Sequence, residues 1–330
     1  MEAKAMALLR LSALALSRSR FALSPLAETV GSLLALSKPC EDPWLADWHA
    51  RHRAALTARL EGNPFAAGLV RLLGSTKWLP DHIVIPPRGG MRTALADELV
   101  EVAAAEDDHV VAQLTVSVRR SWRRHDLKWL SGKGFAARTA ELLDAVWHAH
   151  VLPDWPRRKA LLERDVTYRA GLLAAYGWPR AVERMSRRSA WVGVDAIRFS
   201  DQEAPDRVVG DEGMLFVPIS ASRGSWLCEA PPDRHGLVYP ARGRAEPGRE
   251  RVDGALDRLI GENRATILRE LEEPATSSEL AAQLGLSLGT IGGHLAVLRD
   301  ADLIIGERVG RRVVYRRTEA GDVLTATDHT

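Results

Sequence analysis

The stretch from Leu259 to Leu324 constrains this chain more than any other. Apolar residues recur there at three- and four-residue steps through three successive segments, and two short β-type runs follow, joined by a Gly310-Arg311 tip. A domain built on this pattern must pack three helices against a two-stranded hairpin.

The spacing predicts a first helix over Val252–Leu271, with Leu256, Leu259, Ile260, Ile267, Leu268 and Leu271 on one apolar face and Pro274 as its stop. Thr276 opens the second helix. With Glu279 three positions on, it has capping-box spacing, so hydroxyl and carboxylate satisfy orphan amides. Leu280 and Leu284 form the buried side of this helix, and Gly285 ends it in a left-handed conformation. Leu286 is a core residue of the turn and Ser287 is the N-cap of helix three. In that helix Leu288, Ile291, Leu295 and Leu298 make one stripe, while Gly289, Thr290, Gly293 and, on the flank, His294 occupy the other side. A small, polar outer side near the N-terminus fits a DNA major groove about 12 Å wide. The N-terminal amides also suit a phosphate. Gly292 and Gly293 each cost about 1 kcal/mol relative to alanine. Either their missing side chains admit the DNA backbone closely, or they are weak spots sustained by tertiary packing.

Leu303, Ile304 and Ile305 begin the first strand, Val309 and Gly310 form the turn, and Arg311–Arg317 return as the second strand. Val313 and Tyr315 share one face of it, and Arg312, Val314 and Arg316 share the other. The order of elements is that of a winged helix-turn-helix, which presents one helix to DNA. Residues 255–324 hold nine Lys or Arg against eleven Asp or Glu, a net of −2, so overall charge does not argue for DNA. The crowding of Arg308, Arg311, Arg312, Arg316 and Arg317 on one hairpin does, since they can neutralise phosphates there. The alternative is a solvated hairpin of ordinary surface charge. The expected DNA-binding residues are Ser287, Gly289, Thr290, Gly293, His294, Arg308, Arg311, Arg312 and Arg316.

Ser287, Thr290, Ile291, His294, Leu295 and Leu298 match S-x-x-T-[IV]-x-x-H-L-x-x-L, and Gly310–Tyr315 match G-R-R-V-x-Y. On these residues the module resembles the ArsR-type winged helix-turn-helix of bacterial repressors, over about 70 residues. Two positions depart from that pattern. The serine usual two places after the threonine is Gly292, and the E-L-C-V-C-[DE]-L box of metal sensors falls on Pro274–Leu280, which holds no cysteine. The resemblance implies DNA binding and lends nothing to metal sensing.

A length of 330 residues predicts two domains. The expected fold class is α+β, with a large, mixed, helix-rich N-terminal domain over 1–240, a Pro-, Gly- and Arg-rich linker over 241–254, and the winged helix-turn-helix domain over 255–324. All ten tryptophans precede Leu227, so the two domains differ in composition. Helices are expected around Pro25–Leu36, Trp44–Leu60, Asn63–Leu73, Thr93–Ala105, Gly134–Val151 and Pro156–Gly177. Strands are expected at His82–Ile85, Val110–Val118, Trp191–Phe199 and Met214–Val217, the last ended by Pro218. The segments Leu8–Leu36, Trp147–Val166 and Gly236–Gly243 resemble the N-terminal domain fused ahead of ArsR-type modules in actinobacterial regulators. The family's V-P-S-V-F-x-W-P segment is altered here at Val217–Ser222, and the resemblance implies architecture without catalytic residues.

Net charge is +2, which exerts no general pull toward nucleic acid or membrane. Cys40 and Cys228 make neither a disulfide framework nor a metal box, and the expected compartment is the reducing cytoplasm. Met1–Leu36 is rich in Ala and Leu, but Arg10, Arg18 and Arg20 interrupt it, so it is read as part of the fold and no membrane partner is expected.

Several candidate sites have plainer readings. His49 and His52 share a helical face, but without a third ligand nearby they read as packing against Trp48. His148 and His150 stand two apart, which a helix separates. Asp107, Asp108 and His109 read as a surface turn between a helix and a strand. Ser131–Gly134 lacks phosphate-loop spacing. The run Arg119, Arg120, Trp122, Arg123, Arg124 and His125 reads either as a contact for DNA, an effector or an acidic partner, or as a solvated strand end with a packed Trp122. The tryptophans read mainly as core, with an aromatic-walled pocket as the alternative.

The expectation is therefore a DNA-binding transcriptional regulator. It would be a dimeric repressor on double-stranded DNA, controlled by a small-molecule effector or partner through the N-terminal domain, with no cofactor, metal or catalytic residue. The competing expectation is an enzyme of unknown reaction in the N-terminal domain with the winged helix as an appendage.

Overall fold

The computed structural model describes residues 6–40, 42–183, 185, 189–203, 206–221, 224–242, 255–310 and 312–326. The chain divides into two units, Met1–Asp154 with Arg169–Ala241, and Trp155–Tyr168 with Arg242–Thr330. In chain order the elements are β1 (Met6–Leu11), α1 (Ala13–Arg18), β2 (Arg20–Phe21), α2 (Pro25–Leu36), α3 (Ala46–Glu61), α4 (Pro64–Leu73), α5 (Leu95–Ala103), α6 (Asp107–Arg119), α7 (Phe135–Val146), α8 (Trp155–Tyr176) and α9 (Trp178–Val182). They continue with β3 (Ala190–Val192), β4 (Ala196–Glu203), β5 (Arg207–Val209), β6 (Met214–Ile219), β7 (Trp226–Ala230), β8 (Arg234–Pro240), α10 (Ala255–Ile260), α11 (Glu262–Glu270), β9 (Ala275–Thr276), α12 (Ser277–Leu284), α13 (Leu288–Asp300), β10 (Ile304–Val309), β11 (Arg312–Arg317) and α14 (Glu319–Ala326). The class is mixed helix and sheet with a C-terminal helix-turn-helix domain, as expected.

The larger unit is organised around α2. Ser24 caps this helix by accepting from Ala27 N at 2.9 Å, and Pro25 occupies its first turn, where a missing N–H costs nothing. Leu26, Val30, Leu33 and Leu36 are buried along it. Two buried carboxyls fasten it. Glu98 of α5 accepts from Leu26 N at 2.8 Å, and Glu28 accepts from Ser220 N at 2.8 Å. Two four-stranded sheets complete the unit, in the orders β3-β4-β1-β5 and β2-β6-β8-β7.

All four expected strands differ from the structure in form or extent, the first below because packing outweighs local preference. Val110–Val118 lies in helix α6, where Val110, Leu114 and Ser117 are buried at helical steps. Asp107–His109 is therefore the first turn of that helix rather than a surface turn, and the Asp107 carboxylate accepts from Gly134 N and Phe135 N at 2.8 Å, capping α7. His82–Ile85 is irregular although Ile83, Val84 and Ile85 are buried; both Ile83 N and Val84 N turn back to Pro80 O. Trp191–Phe199 is two antiparallel strands, β3 and β4, rather than one. Pro218 does not end β6, which continues to Ile219 and pairs parallel with β8. Because β2 covers only Leu215 and Phe216, β6 has a neighbour on one side beyond that point, where a proline is tolerated.

In the smaller unit Gly261, at φ +86°, splits the expected first helix into α10 and α11. Within the short α10, Leu256 is buried, whereas Leu259 is 68% exposed and leaves the expected apolar face. The Val252–Gly254 start of that helix and most of the expected linker lie outside the described residues. Thr276 and Glu279 form both bonds of the capping box, and Gly285 ends α12 at φ +67°. Helices α12 and α13 meet at 118°, within the range of helix-turn-helix pairs. Ile267 and Leu268 of α11, Leu280 of α12, Ile291, Leu295 and Leu298 of α13, and Ile304 of β10 share one core, with Leu286, Tyr315 and Leu324 packed against it. The wing gains a third strand, since β9 pairs antiparallel with Val314 and Tyr315 of β11.

Candidate nucleic-acid interface

Helix α13 is fixed at its start by Ser287, whose hydroxyl accepts from Thr290 N at 3.1 Å and lies 2.8 Å from Thr290 Oγ1. Burying Ile291, Leu295 and Leu298 turns Ser287, Gly289, Thr290, Gly292 and Gly293 to solvent, with His294 half-buried on the flank. Leu288 does not join the buried stripe. It is 57% exposed, because it sits at the first helical position, one turn short of the core. A Cβ added at Gly292 or Gly293 would meet nothing within 4 Å. No packing in the described protein therefore accounts for the two glycines, and what remains is an outer surface without side chains on the helix that a groove would receive.

The wing divides its arginines. In the β10–β11 register Val309 faces Arg312 and Ile305 faces Arg316, whereas Arg308 faces Val313, so Arg312 and Arg316 share one side of the ribbon and Arg308 takes the other. Arg316 pairs with Glu307 at 2.9 Å. Arg317 leaves the expected cationic set: it pairs with Asp322 of α14 at 2.7 Å and donates to Thr325 Oγ1 at 3.0 Å. Helix α14 is what draws it inward, and no periodic signal at the chain's end announced that helix. Arg308 and Arg312 are exposed and, among the described residues, make no ion pair. Arg311 lies outside the described residues.

Sequence reasoning missed the support beneath the module. The segment Trp155–Tyr168 belongs to the same unit as α11–α13. From it Arg164, with a side chain 4% exposed, reaches Glu270 Oε2 at 3.3 Å, Gln283 Oε1 at 2.5 Å and the carbonyl of Glu273 at 3.0 Å, and also bonds the carbonyl of Glu270. Gln283 Nε2 closes the ring onto Glu270. One guanidinium thus ties the C-terminal end of α11 to α12. Burial raises the Glu270 pKa, against the pull of Arg164 beside it. Arg242 adds a 2.9 Å pair to Glu273 and stacks 4.0 Å over the Tyr168 ring.

Candidates in the larger unit resolve differently. His52 and His150, one from each histidine pair, meet at 3.0 Å between Nδ1 atoms. Burial, then the neighbouring His52, lowers the His150 pKa to about 4. Among the described residues no group of three or more His, Cys, Asp or Glu could hold a metal. The Arg119–His125 run lies at the end of α6 and beyond, not on a strand, and Trp122 is 56% exposed rather than packed. The other tryptophans scatter: Trp48 donates to His150 O at 2.7 Å, and Trp178 stacks on Phe216 at 4.9 Å. Among the described residues no single helix is long and apolar enough to cross a membrane.

Residues 259–307 match a family model described as a helix-turn-helix domain. Among solved structures, reduced HlyU from Vibrio cholerae is similar at 27% identity, over 23% of this chain and 82% of that chain, with a TM-score of 0.21. No curated protein matches the chain. The helix-turn-helix domain supports a DNA-binding transcription regulator.

Proposed function

We propose that the chain is a dimeric repressor of ArsR type that reads double-stranded DNA through α13 and the β10–β11 wing and is controlled by a small molecule or partner acting on the larger unit. The observation that carries this reading is α13 itself, a capped helix anchored by three buried residues whose outer side is Thr290 among glycines. Leu288 at its tip suits a thymine methyl, the N-terminal amides suit a phosphate, and Arg308 and Arg312 suit flanking phosphates. A two-fold operator requires two copies, because one helix reads half a site. The exposed Leu259 of α10 supports a dimer contact there. Repression follows from occluding a promoter, and an effector relieves it only by binding the free and DNA-bound forms with different affinity.

The test is fluorescence anisotropy on DNA from the chain's own upstream region, with random DNA as control. Thr290→Ala is expected to weaken the specific complex by about 1 kcal/mol, the net value of one hydrogen bond, and to spare random DNA. Absence of binding by the unaltered protein at moderate salt would sink the reading.

A catalytic larger unit is the competing reading, and one contact favours it: Ser75 Oγ lies 2.7 Å from His125 Nε2. Ser75 is 2% exposed, however, and its hydroxyl also donates to Arg71 O at 2.8 Å. Among the described residues no carboxylate bonds the other nitrogen of His125. A nucleophile must reach its substrate and be activated by an oriented base, so we propose binding, not catalysis, for this unit. Fluorophosphonate labelling at Ser75 would reverse that choice.

A further inference from the structure

The larger unit contains a cavity of about 620 Å³ walled by the end of α2, by α3 and α4, and by the two residues Trp122 and Arg123 beyond α6. Its size lies in the range of small-molecule sites, roughly 300–1,000 Å³. Four cations line it, Lys38, Arg53, Arg71 and Arg123, against the single carboxylate of Glu61. Among the described residues none of the four is in an ion pair.

Their surroundings make the arrangement a site rather than a cluster. Arg53 Nη1 donates to Leu36 O at 2.9 Å and to Lys38 O, which holds the guanidinium in place at the end of α2. Lys38 Nζ stands 5.4 Å from the centre of the Trp122 ring, and desolvation lowers its pKa. An ammonium that has lost water without gaining a counter-ion is stabilised by an incoming anion. The floor between the charges is apolar, supplied by Leu36, Leu56, Leu60 and Val70. Trp122 leaves a large aromatic face uncovered at the rim.

We propose that this cavity binds a small organic anion with an apolar body, its carboxylate or phosphate head held by Lys38, Arg71 and Arg123 and its body laid between Trp122 and the leucine floor. An anion answers all the unpaired charge at once, and an apolar body answers the floor and the tryptophan. A bare inorganic anion would leave the apolar wall wet, and a neutral apolar molecule would leave the cations around it without a counter-charge. The proposal rests on the larger unit alone, so its failure and the failure of the DNA reading are separate events.

The test uses the full chain and isothermal titration calorimetry with 2-naphthoate, 2-naphthyl phosphate and decanoate, each beside a neutral counterpart: 2-naphthamide, 2-naphthol and decanamide. At least one anion is expected to bind saturably at one per chain, tenfold or more tighter than its neutral counterpart, and the preferred head distinguishes carboxylate from phosphate. Arg71→Gln with Arg123→Gln, both exposed positions, is expected to lose most of that preference while keeping the unaltered melting temperature. Trp122→Ala is expected to weaken anion and neutral probe alike by a few-fold. Saturable binding by none of the anions, equal binding of anions and neutral probes, or full anion preference in the double variant each overturns the proposal.

Discussion

Arg164 beneath the helix-turn-helix and Arg312 on its wing carry the same guanidinium in opposite surroundings. Arg164 is buried and spends its donors on Glu270, Gln283 and two carbonyls, one at the end of α11 and one just beyond it, whereas Arg312 is exposed and, among the described residues, makes no ion pair. The first is committed to the fold, and the second is available to a phosphate. A count of positive charge treats them alike, and so does a count of arginines on the hairpin, where Arg317 is turned inward to Asp322. Buried ionisable groups should therefore govern stability, and exposed ones should govern binding.

The largest expected effect is at Arg164. Arg164→Met leaves Glu270 buried without its cation and should destabilise the smaller unit by roughly 3–5 kcal/mol. Adding Glu270→Gln, which removes the orphaned charge, should recover part of it. Chemical denaturation read by circular dichroism decides; a variant as stable as the unaltered protein would break the comparison on its buried side.

Next is Glu98, whose pKa burial pushes from 4.5 up to about 8. At neutral pH it is protonated in the folded state and ionised in the unfolded chain, so its contribution is complete below about pH 4.5 and declines as pH rises to about 8. The urea midpoint of the unaltered protein minus that of Glu98→Gln should fall between pH 5 and pH 8. A difference that stays flat contradicts the assignment. His82 adds the opposite slope to both proteins: burial lowers its pKa to about 4, so its stabilisation is lost as pH falls from 6.5 to 4, and the subtraction cancels it.

On the exposed side, Arg308→Ala with Arg312→Ala should leave stability within about 0.5 kcal/mol of the original. The same pair should reduce the magnitude of the slope of log affinity against log salt by about 1.8, two phosphate contacts at roughly 0.9 each. Loss of stability without change in the salt slope would place these arginines with Arg164.

The smallest effect is the most discriminating. With open space around both positions, Gly292→Ala and Gly293→Ala should each stabilise the module by about 0.4–1 kcal/mol. If the bare surface exists for DNA, the same variants should bind the operator more weakly. Stabilisation with undiminished DNA affinity would mean that the glycines serve nothing at the interface.

Much of the module was legible because its signals act within four residues. The Thr276–Glu279 box, the Ser287 cap, the Gly285 end and the Ile291, Leu295, Leu298 stripe all stand where their spacing placed them. Legibility failed where distant packing chose between local alternatives. The β-branched run Val110–Val118 satisfies strand preference, yet Val110 and Leu114 are buried as one face of a helix.

By itself the sequence determined the helix-turn-helix, its caps and the position of its recognition helix, because hydrogen bonds to neighbouring amides and periodic burial are properties of contiguous residues. Only tertiary structure decided which charges are free. It folded Arg317 onto α14, set Arg164 against Glu270, 106 residues away, brought His52 to His150, and gathered Lys38, Arg53, Arg71 and Arg123 around one cavity. The physical reason is that the value of a charge depends on the dielectric and the partners around it, and these are assembled from segments that no local pattern connects.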